Sequence, residues 1–524
     1  MVKQNLLKVI KEIQSPTPIV WAIFFAIILS LLVFSLYANS LYNSFQLDDF
    51  IGWVPLAKNL QLPQDIGYIF EIGGVRVVTL LSFVLGYAWH GDWLPGYHLI
   101  NIAIHAFASI GVFFLIKALY VLLAKKKQTS KNVAIYTALT SALLFATHPI
   151  QTQPVNYISQ RLALFAGVFY VYSTLFYLHL RSSKLRTKRI VFGVLTAIFA
   201  LLAFFSKENS FSLPILWLVI ELFRVPVDTK KLVQKIGFGL AVSFFIVSLL
   251  YISRFGLDAV FSHKISPLGE TVTSYNYLLT QVQVIPKYIQ LLIFPSSLSI
   301  DYYFPVVVSV FSLHFLASLS ILLFLVYFVF FFYKRDKVIG FGIVWFFITL
   351  VVESSFIPIA DVIFEHRLYL PSVGFVFILA HVLSKLFSST AKPWLVRAVF
   401  FLVILASYSF LTVQRNKVWS TQAIMWQDVV NKFPLSPRAH YNLGFAMASE
   451  QDFLGAMFHF EKTIELLPTH SKALNALGYL NAVYGENDLA VERLTRAAEL
   501  EPENQLYREN LDIATIEKLR QENK

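Results

Sequence analysis

The sequence contains no cysteine among its 524 residues, and charged residues make up only 14% of it. The absence of cysteine excludes disulfide bonds and thiolate metal sites. The low charge sets the chain apart from soluble globular proteins, in which about a quarter of the residues are charged. Apolar residues instead reach 57% and phenylalanine alone occurs 50 times, with a mean hydropathy of +0.63. This composition predicts a protein whose main solvent is membrane lipid.

Acidic residues are fewer than basic ones, which gives a formal net charge of +12. A nucleic-acid-binding protein would need its basic residues clustered on one folded face. Here they lie in short loops between apolar segments, a distribution that the positive-inside rule of membrane proteins explains. We therefore expect membrane lipid as a partner and no nucleic acid.

Long apolar segments predict an all-α, polytopic membrane bundle. About 20 apolar helical residues are needed to cross the hydrocarbon core. Eleven transmembrane helices are expected by that measure, at 17-40, 98-124, 132-147, 161-180, 190-206, 208-223, 236-252, 306-333, 338-353, 369-388 and 394-413. We assign the short apolar segment 77-90 to an interfacial helix. A polar stripe on 278-294 likewise predicts an interfacial or re-entrant position.

Lysine and arginine decide the predicted orientation. When the eleven spans alternate, most loop cations fall on one side, among them the cluster Lys125, Lys126 and Lys127. The positive-inside rule makes that side cytoplasmic, with the N-terminus inside and the C-terminus outside. The acidic residues then gather at the outer surface. We expect the active site there, in a bacterial inner membrane.

The C-terminal part repeats with a period of 34 residues. Five residues recur at that distance, with Gly444, Ala456, Glu465, Leu466 and Pro468 returning as Gly478, Ala490, Glu499, Leu500 and Pro502. This period is typical of tetratricopeptide repeats, in which small residues let paired helices approach. We predict repeats at 437-470 and 471-504 and a capping helix near 505-521. Such arrays bind protein segments, which indicates a polypeptide partner.

The chain thus divides into three predicted parts within 1-524. A transmembrane domain covers 1-415 and contains a first outer loop at 41-97. A linker at 416-436 follows, and the repeats with their capping helix fill 437-524.

An acidic pair, Asp48 and Asp49, follows the first span in the motif FQLDDF. A carboxylate at the outer surface has the chemistry of a general base for an incoming hydroxyl. The alternative interpretation is a solvated turn. Other charged and polar residues at the same surface favour a functional site, because charges at span ends are costly and often mark function. These residues are Arg76, His148, Gln153, Arg161, Lys207, Glu208, Glu365, His366 and Arg367.

A carboxylate beside several cations suits a substrate whose phosphate lies at headgroup depth. The base would deprotonate a nucleophile, and the cations would stabilise charge on the departing phosphate. Transfer of a sugar from a lipid phosphate uses both groups.

His98, Asn101 and His105 share one helix face, and we favour helix packing over a metal site there because the spacing is not that of a zinc helix.

Taken in order, the motifs resemble those of the transmembrane and tetratricopeptide-repeat O-mannosyltransferases and their bacterial relatives, members of the GT-C superfamily. The matching segments include FQLDDF, HPIQTQPVNYISQR, SKEN, EHRLYLPS and the repeats, and the resemblance covers nearly the whole chain. The resemblance implies an inverting transferase that moves a sugar from a polyprenyl-phosphate donor to hydroxyl groups of extracytoplasmic proteins. It further implies that the repeats recruit the acceptor and that Asp48 or Asp49, with Asp48 favoured, is the base. The donor-site residues would be Arg76, Arg161, Lys207, Glu208, His366 and Arg367.

Gln153 departs from the family pattern, because the mannosyltransferases usually carry glutamate in HPIHTE. The sugar therefore stays open, with mannose as the implied one.

The resemblance implies no metal or other cofactor, although Asp301 and Glu353 leave a divalent ion open. Two further hypotheses stay open as well. One is transfer of an oligosaccharide or transfer onto a glycolipid, and the other is a membrane-anchored scaffold or transporter.

Overall fold

The computed structural model describes residues 19–124, 131–224, 263–266, 269–386 and 393–523. These residues are almost entirely helical, and the predicted all-α fold class is confirmed. They fall into two compact units. The first lies within Met1–Lys264, Val272–Leu298 and Val306–Lys417, and the second within Ile265–Thr271, Ser299–Pro305 and Val418–Lys524. The predicted span at 236-252 lies outside the described residues.

The first unit contains most of the helices. The short ones between α1 and α5 are α2 (Trp53–Lys58), α3 (Ile66–Gly73) and α4 (Val77–His90). The others are α1 (Ile19–Tyr37), α5 (Leu94–Leu123), α6 (Lys131–Thr147), α7 (Thr152–Asn156), α8 (Arg161–Ser182), α9 (Arg186–Phe204), α10 (Leu213–Arg224), α11 (Ser274–Ile293), α12 (Leu313–Arg335), α13 (Lys337–Leu350), α14 (Pro371–Lys385) and α15 (Pro393–Val418). Two short strands, β1 (Lys264–Ile265) and β2 (Thr271–Val272), pair between α10 and α11.

Seven helical runs among the described residues are long and apolar enough to cross a membrane. They are Val20–Ser40, Ile66–His90, Leu94–Leu123, Ile158–Ser182, Arg186–Phe204, Leu313–Arg335 and Trp394–Val418. An eighth is added when Asn132–Thr147 and Pro149–Asn156, which are bent by 50° at His148, count as one span. The chain is therefore an integral membrane protein, as its composition predicts.

Several predicted spans differ from the helices. The run Ile66–His90 is long enough to cross and includes 77-90, which the sequence assigns to an interface, although a 3-10 turn at Gly74–Arg76 interrupts it. The predicted span 208-223 opens with a 3-10 turn, so that α10 has only 12 described residues. The helices α13 and α14 are apolar but shorter than a span. The helix α11 is not among the runs apolar enough to cross, in line with its predicted polar stripe.

The core of the first unit is built mainly by α5, α6, α8 and α10, which supply most of its buried apolar side chains. Glycines let neighbouring helices approach closely, as is common between helices in membranes. A Cβ atom on Gly374 of α14 would lie only 2.5 Å from the carbonyl oxygen of Gly342 of α13. The contact between α13 and α14 therefore depends on the absence of a side chain.

The second unit repeats its helices with the period read from the sequence. After α16 (Gln422–Lys432), the helices are α17 (Pro437–Ser449), α18 (Phe453–Leu466), α19 (Ser471–Val483), α20 (Asn487–Leu500) and α21 (Gln505–Glu522). The equivalent helices begin 34 residues apart: α19 after α17, α20 after α18, and α21 after α19. A Cβ on Gly444 would lie 2.9 Å from Phe460, and one on Gly478 would lie 2.8 Å from Leu494. The repeated glycines thus permit the close approach within each helix pair that the repeat predicts.

Replacing Gly374 with alanine should destabilise the first unit by roughly 1–3 kcal/mol, because overpacking forces the backbones of α13 and α14 apart. Gly193→Ala is the matched control, since a Cβ there meets only a side-chain atom of Leu180 at 3.8 Å. The control should be neutral or slightly stabilising because alanine favours helix. Thermal unfolding in detergent measures both variants, and equal melting temperatures would contradict the packing argument.

Candidate active site

A cavity of about 600 Å³ in the first unit gathers charged side chains from distant parts of the sequence. Its charged and histidine lining residues are Asp48, Arg76, Lys207, Glu208, Glu353, His366 and Arg367. All except Glu353 were singled out in the sequence as candidate catalytic or donor-binding residues. The described structure thus brings six of the predicted site residues together.

The turn Leu47–Asp49 sends its two aspartates in different directions. Leu47 has a φ of 42°, a left-handed backbone conformation that residues other than glycine rarely adopt. Asp48 is exposed and lines the cavity. Its backbone N–H donates to the Tyr157 hydroxyl at 3.0 Å. Asp49, by contrast, is buried and does not line the cavity.

The carboxylate of Asp49 is surrounded by hydrogen-bond donors. Its Oδ1 accepts from the backbone N–H of Ser159 at 2.6 Å and from the Ser159 hydroxyl at 2.5 Å. Its Oδ2 accepts from the backbone N–H of Gln46 at 3.1 Å. Burial raises the pKa of Asp49 to about 7, and the hydrogen bonds from Ser159 and Gln46 oppose that rise. Asp49 therefore faces the protein rather than the cavity.

Two adjacent residues of the SKEN motif form ion pairs with different partners. Lys207 Nζ lies 2.7 Å from Glu353 Oε1. Glu208 accepts two hydrogen bonds from Arg76, at 2.9 Å from Nε and 3.2 Å from Nη2. Burial alone would raise the pKa of Glu353, but Lys207 and then Arg367 outweigh it, so that the pKa is lowered and the carboxyl is ionised.

Arg367 is held by neutral groups. Its guanidinium donates to the carbonyl oxygens of Asp361 at 2.7 Å and Val362 at 3.0 Å, and to the Tyr277 hydroxyl at 3.3 Å. The side chain is buried at the cavity wall. Within the described part of the chain, Arg367 forms no ion pair, whereas Arg76 and Lys207 each do. It is thus the cation of the cavity lining that has no ion-pair partner there, and the nearby carboxylates of Glu353 and Asp361 favour its charged form.

His366 is fixed by Gln153. The Gln153 Oε1 lies 2.6 Å from the His366 backbone N–H, which donates to it, and 3.1 Å from His366 Nδ1. The ring also stacks on Phe364. Burial, together with the cations Lys207, Arg367 and Arg76, lowers the pKa of His366 well below its usual value. The imidazole is therefore neutral at physiological pH.

Four predicted donor-site residues lie outside the cavity lining: His148, Gln153, Arg161 and Glu365. Gln153 supports His366 from behind. The ring of His148 is buried, with Nε2 at 2.9 Å from the Leu292 carbonyl oxygen and Nδ1 accepting from the Ile150 N–H. Glu365 is buried as well. In the described structure these residues therefore belong to the support of the wall and not to its surface.

Arg161 is fully buried among neutral groups. It donates to Asn101 Oδ1 at 2.8 Å and to the carbonyl oxygens of Tyr97 and Ser82 at 3.2 and 3.3 Å. Its guanidinium also lies 4.1 Å from the ring centre of Phe83. Asn101 thus serves helix packing, as predicted for the polar face of α5.

The two histidines of that face behave in the same way. His98 Nε2 lies 2.9 Å from the Asn43 carbonyl oxygen. His105 Nδ1 lies 3.0 Å from the Tyr369 hydroxyl, and its Nε2 lies 3.3 Å from the Ala146 carbonyl oxygen. In the residues that the structure describes, no group of three or more His, Asp or Glu is arranged to hold a metal ion.

Sequence reasoning did not assign a role to several residues of the site. Tyr157 and Ser159, which hold the acidic turn, lie inside the segment HPIQTQPVNYISQR. Their proximity to Asp48 and Asp49 is a tertiary contact across more than 100 residues and leaves no local signal. Glu353, the partner of Lys207, was named in the sequence as a residue that leaves a divalent ion open, and not as part of an ion pair.

The chain is similar to curated proteins named protein O-mannosyl-transferases. It is 24% identical over 406 residues to Protein O-mannosyl-transferase F38B6.6 of Caenorhabditis elegans, covering 76% of this chain and 54% of that protein. It is 25% identical over 431 residues to TMTC3 of Mus musculus, covering 75% and 44%. With TMTC4 of Homo sapiens the identity is 24% over 427 residues, covering 74% and 57%. No family model matches the chain.

These similarities confirm the resemblance that the motifs indicated. The chain spans about half the length of the curated relatives it matches.

Lys207→Met should destabilise the first unit by roughly 3–5 kcal/mol at neutral pH, because it leaves the buried Glu353 carboxylate without its closest cation. Loss of the cation raises the pKa of Glu353 in the folded state. The loss of stability in the variant should therefore grow as the pH rises above 4.5, the pKa of Glu353 in the unfolded state, and shrink in acid. Thermal unfolding in detergent at several pH values measures it.

Two variants serve as controls for that measurement. Lys207→Met combined with Glu353→Gln removes the unpaired charge and should recover most of the loss. Lys58→Met breaks the exposed pair with Asp92 and should have little effect, since exposed pairs contribute little. A loss that is independent of pH, or equal in Lys58→Met, would contradict the role of the buried pair.

Proposed function

We propose, starting from the similarity to proteins named protein O-mannosyl-transferases, that this chain is a membrane glycosyltransferase of the GT-C type. It moves a sugar from a polyprenyl-phosphate donor onto hydroxyl groups of extracytoplasmic proteins. The observation that carries the proposal is a single cavity lined by an exposed carboxylate, Asp48, and by a buried cation without an ion-pair partner in the described chain, Arg367. The cavity lies at the outer surface in the orientation that the positive-inside rule predicts.

Asp48 is the proposed general base. The acceptor hydroxyl oxygen forms a bond to the anomeric carbon of the donor, and its proton passes to the Asp48 carboxylate. The bond between that carbon and the phosphate oxygen breaks, and polyprenyl phosphate leaves with the electron pair. Attack from the face opposite the phosphate inverts the configuration of the sugar. Asp49 is a poor candidate for this role because its oxygens already accept from Ser159 and Gln46.

Arg367 is the proposed ligand of the donor phosphate. A guanidinium stabilises phosphate charge by charge-assisted hydrogen bonds, most strongly where water is excluded. Arg76 and Lys207 are already paired with Glu208 and Glu353. They hold those carboxylates where sugar hydroxyls can donate to them. The neutral His366 completes this side of the site, and the proposed reaction uses no metal or other cofactor.

The second unit is proposed to be a tetratricopeptide-repeat domain that recruits the protein acceptor. Phe445, Tyr479 and Ile513 occupy equivalent positions of α17, α19 and α21, each 34 residues after the last. Their exposed fractions are 53%, 55% and 60%. A row of exposed apolar side chains on successive first helices of the pairs is the kind of surface on which repeat arrays bind extended segments.

Asp48→Asn should abolish measurable sugar transfer, with a loss of about 10²–10⁴-fold in kcat, because asparagine cannot accept the proton. The assay uses the purified full chain, polyprenyl-phosphate mannose and a serine- and threonine-containing protein acceptor. Asp92→Asn is the control, since Asp92 is exposed and paired with Lys58 outside the cavity lining. Full transfer by folded Asp48→Asn would rule out the proposed base. An altered cell-surface glycolipid with an unchanged glycoproteome would favour the glycolipid alternative.

Phe445→Ala combined with Tyr479→Ala should raise the KM for a protein acceptor roughly tenfold, because aromatic side chains commonly dominate such interfaces. The KM for a short peptide acceptor should stay unchanged, since a short peptide reaches only the cavity. Phe458→Ala is the matched control, because Phe458 on α18 is also 53% exposed but lies on the second helix of its pair. Equal effects of the two sets of changes, or equal effects on both acceptors, would contradict recruitment by this row.

A further inference from the structure

The second aspartate of the acidic pair lies beneath the turn that presents the first. Asp49 is only 1% exposed, and Ser159 donates to one of its carboxylate oxygens through both its backbone N–H and its hydroxyl. Ser159 lies in the 3-10 turn Ile158–Gln160 that precedes α8. Asp49 therefore ties the outer loop after α1 to the beginning of a buried helix.

We infer that Asp49 and Ser159 are positioning residues, a clamp that holds Asp48 toward the cavity in its reactive orientation. The inference rests on the proposed function, because the orientation of Asp48 matters only if Asp48 accepts a proton there. The sequence alone does not require Asp48 to face the cavity and Asp49 to face the protein, since adjacent aspartates in a loop commonly both face water.

The backbone around Asp48 is fixed on both sides. Its N–H donates to the Tyr157 hydroxyl at 3.0 Å, and its carbonyl oxygen accepts from the Gly52 N–H at 2.7 Å. A Cβ atom on Gly52 would lie 2.6 Å from that oxygen, so the approach requires glycine. Leu47 is in the left-handed region, which costs on the order of 1 kcal/mol and persists only where the surroundings compensate. The hydrogen bonds of Asp49 supply that compensation.

The clamp requires a carboxylate and not an amide. The groups that the structure places against the Asp49 oxygens are donors: the N–H and hydroxyl of Ser159, the N–H of Gln46 and the N–H of Ile158. An asparagine would turn its NH2 group toward one of these donors and leave it unsatisfied. A protonated Asp49 would add an O–H donor among these donors and accept their hydrogen bonds more weakly. The clamp is therefore complete only when Asp49 is ionised.

The protonation of Asp49 should consequently limit the reaction in acid. The titratable or charged side chains that interact with it are Arg161 of α8 and Tyr157 before α8, and Asp48 of its own turn interacts with the same Tyr157. Burial raises the pKa of Asp49 to about 7, and the Ser159 hydroxyl opposes that rise. Removing the hydroxyl raises the pKa further. The fall of kcat on the acid side should then move to higher pH.

The test compares Ser159→Ala with Ser159→Thr in the purified full chain, with kcat and donor KM measured from pH 5 to 9. Ser159→Ala should lower kcat by roughly 10- to 100-fold, because small misplacements of a catalytic group are costly. It should leave the donor KM within about twofold and shift the acid-side fall of kcat to higher pH. Ser159→Thr keeps a hydroxyl and should restore both. Ser109→Ala is the control, since that buried serine donates only within α5.

A second measurement needs no activity. Hydrogen–deuterium exchange of peptides covering residues 44–53 should be faster in Ser159→Ala than in the wild type or in Ser109→Ala. Absence of sugar transfer by the wild type would overturn the proposed function, whereas the exchange result would still decide whether the clamp exists. Unchanged exchange in Ser159→Ala overturns the clamp. So does a lowered kcat whose pH profile does not move, or one that threonine does not restore.

Discussion

The pairing of charges away from water is the constraint on which this site depends. A charge at the end of a membrane helix is costly unless it finds a partner or water. Lys207 and Glu208 are neighbours in the chain, yet one pairs with Glu353 after α13 and the other with Arg76 before α4. These two pairs join three distant segments into one wall. They also leave Arg367 as the cation that has no ion-pair partner in the described part of this wall.

Much of the fold could be predicted from the sequence because its signals are local. A long apolar segment predicts a membrane helix wherever it occurs, and the 34-residue period predicts helix pairs whose boundaries repeat by 34. The predictions were weakest where an apolar segment carries polar residues at its end. Glu208–Ser212 of the SKENSFS segment form a 3-10 turn, and Lys207 and Glu208 at its start pair with partners on different elements. Their partners, Glu353 and Arg76, are distant in the sequence, so no local pattern indicates them.

The site was predicted less completely than the fold. Charged residues stand out against an apolar sequence, so Asp48, Arg76, Lys207, Glu208, His366 and Arg367 could be found. Arg161 carries the same signal but is held by Asn101 and backbone carbonyls behind the wall. The sequence does not distinguish Arg161 from the lining residues Arg76 and Arg367, because all three lie in or directly after a 3-10 turn, which has no long periodicity that decides which side chain faces inward. The same reason prevents a choice between Asp48 and Asp49, whose directions follow from the left-handed Leu47.

The balance of charge in the cavity gives the proposed chemistry a simple electrostatic form. The lining carries three carboxylates, Asp48, Glu208 and Glu353, and three cations, Arg76, Lys207 and Arg367. A sugar phosphodiester brings one negative charge, and the departing phosphate monoester gains a second. Asp48 loses one when it accepts the hydroxyl proton, so the total charge in the cavity does not change. The reaction only moves negative charge from Asp48 toward Arg367, which a fixed and partly dehydrated site stabilises without reorganisation.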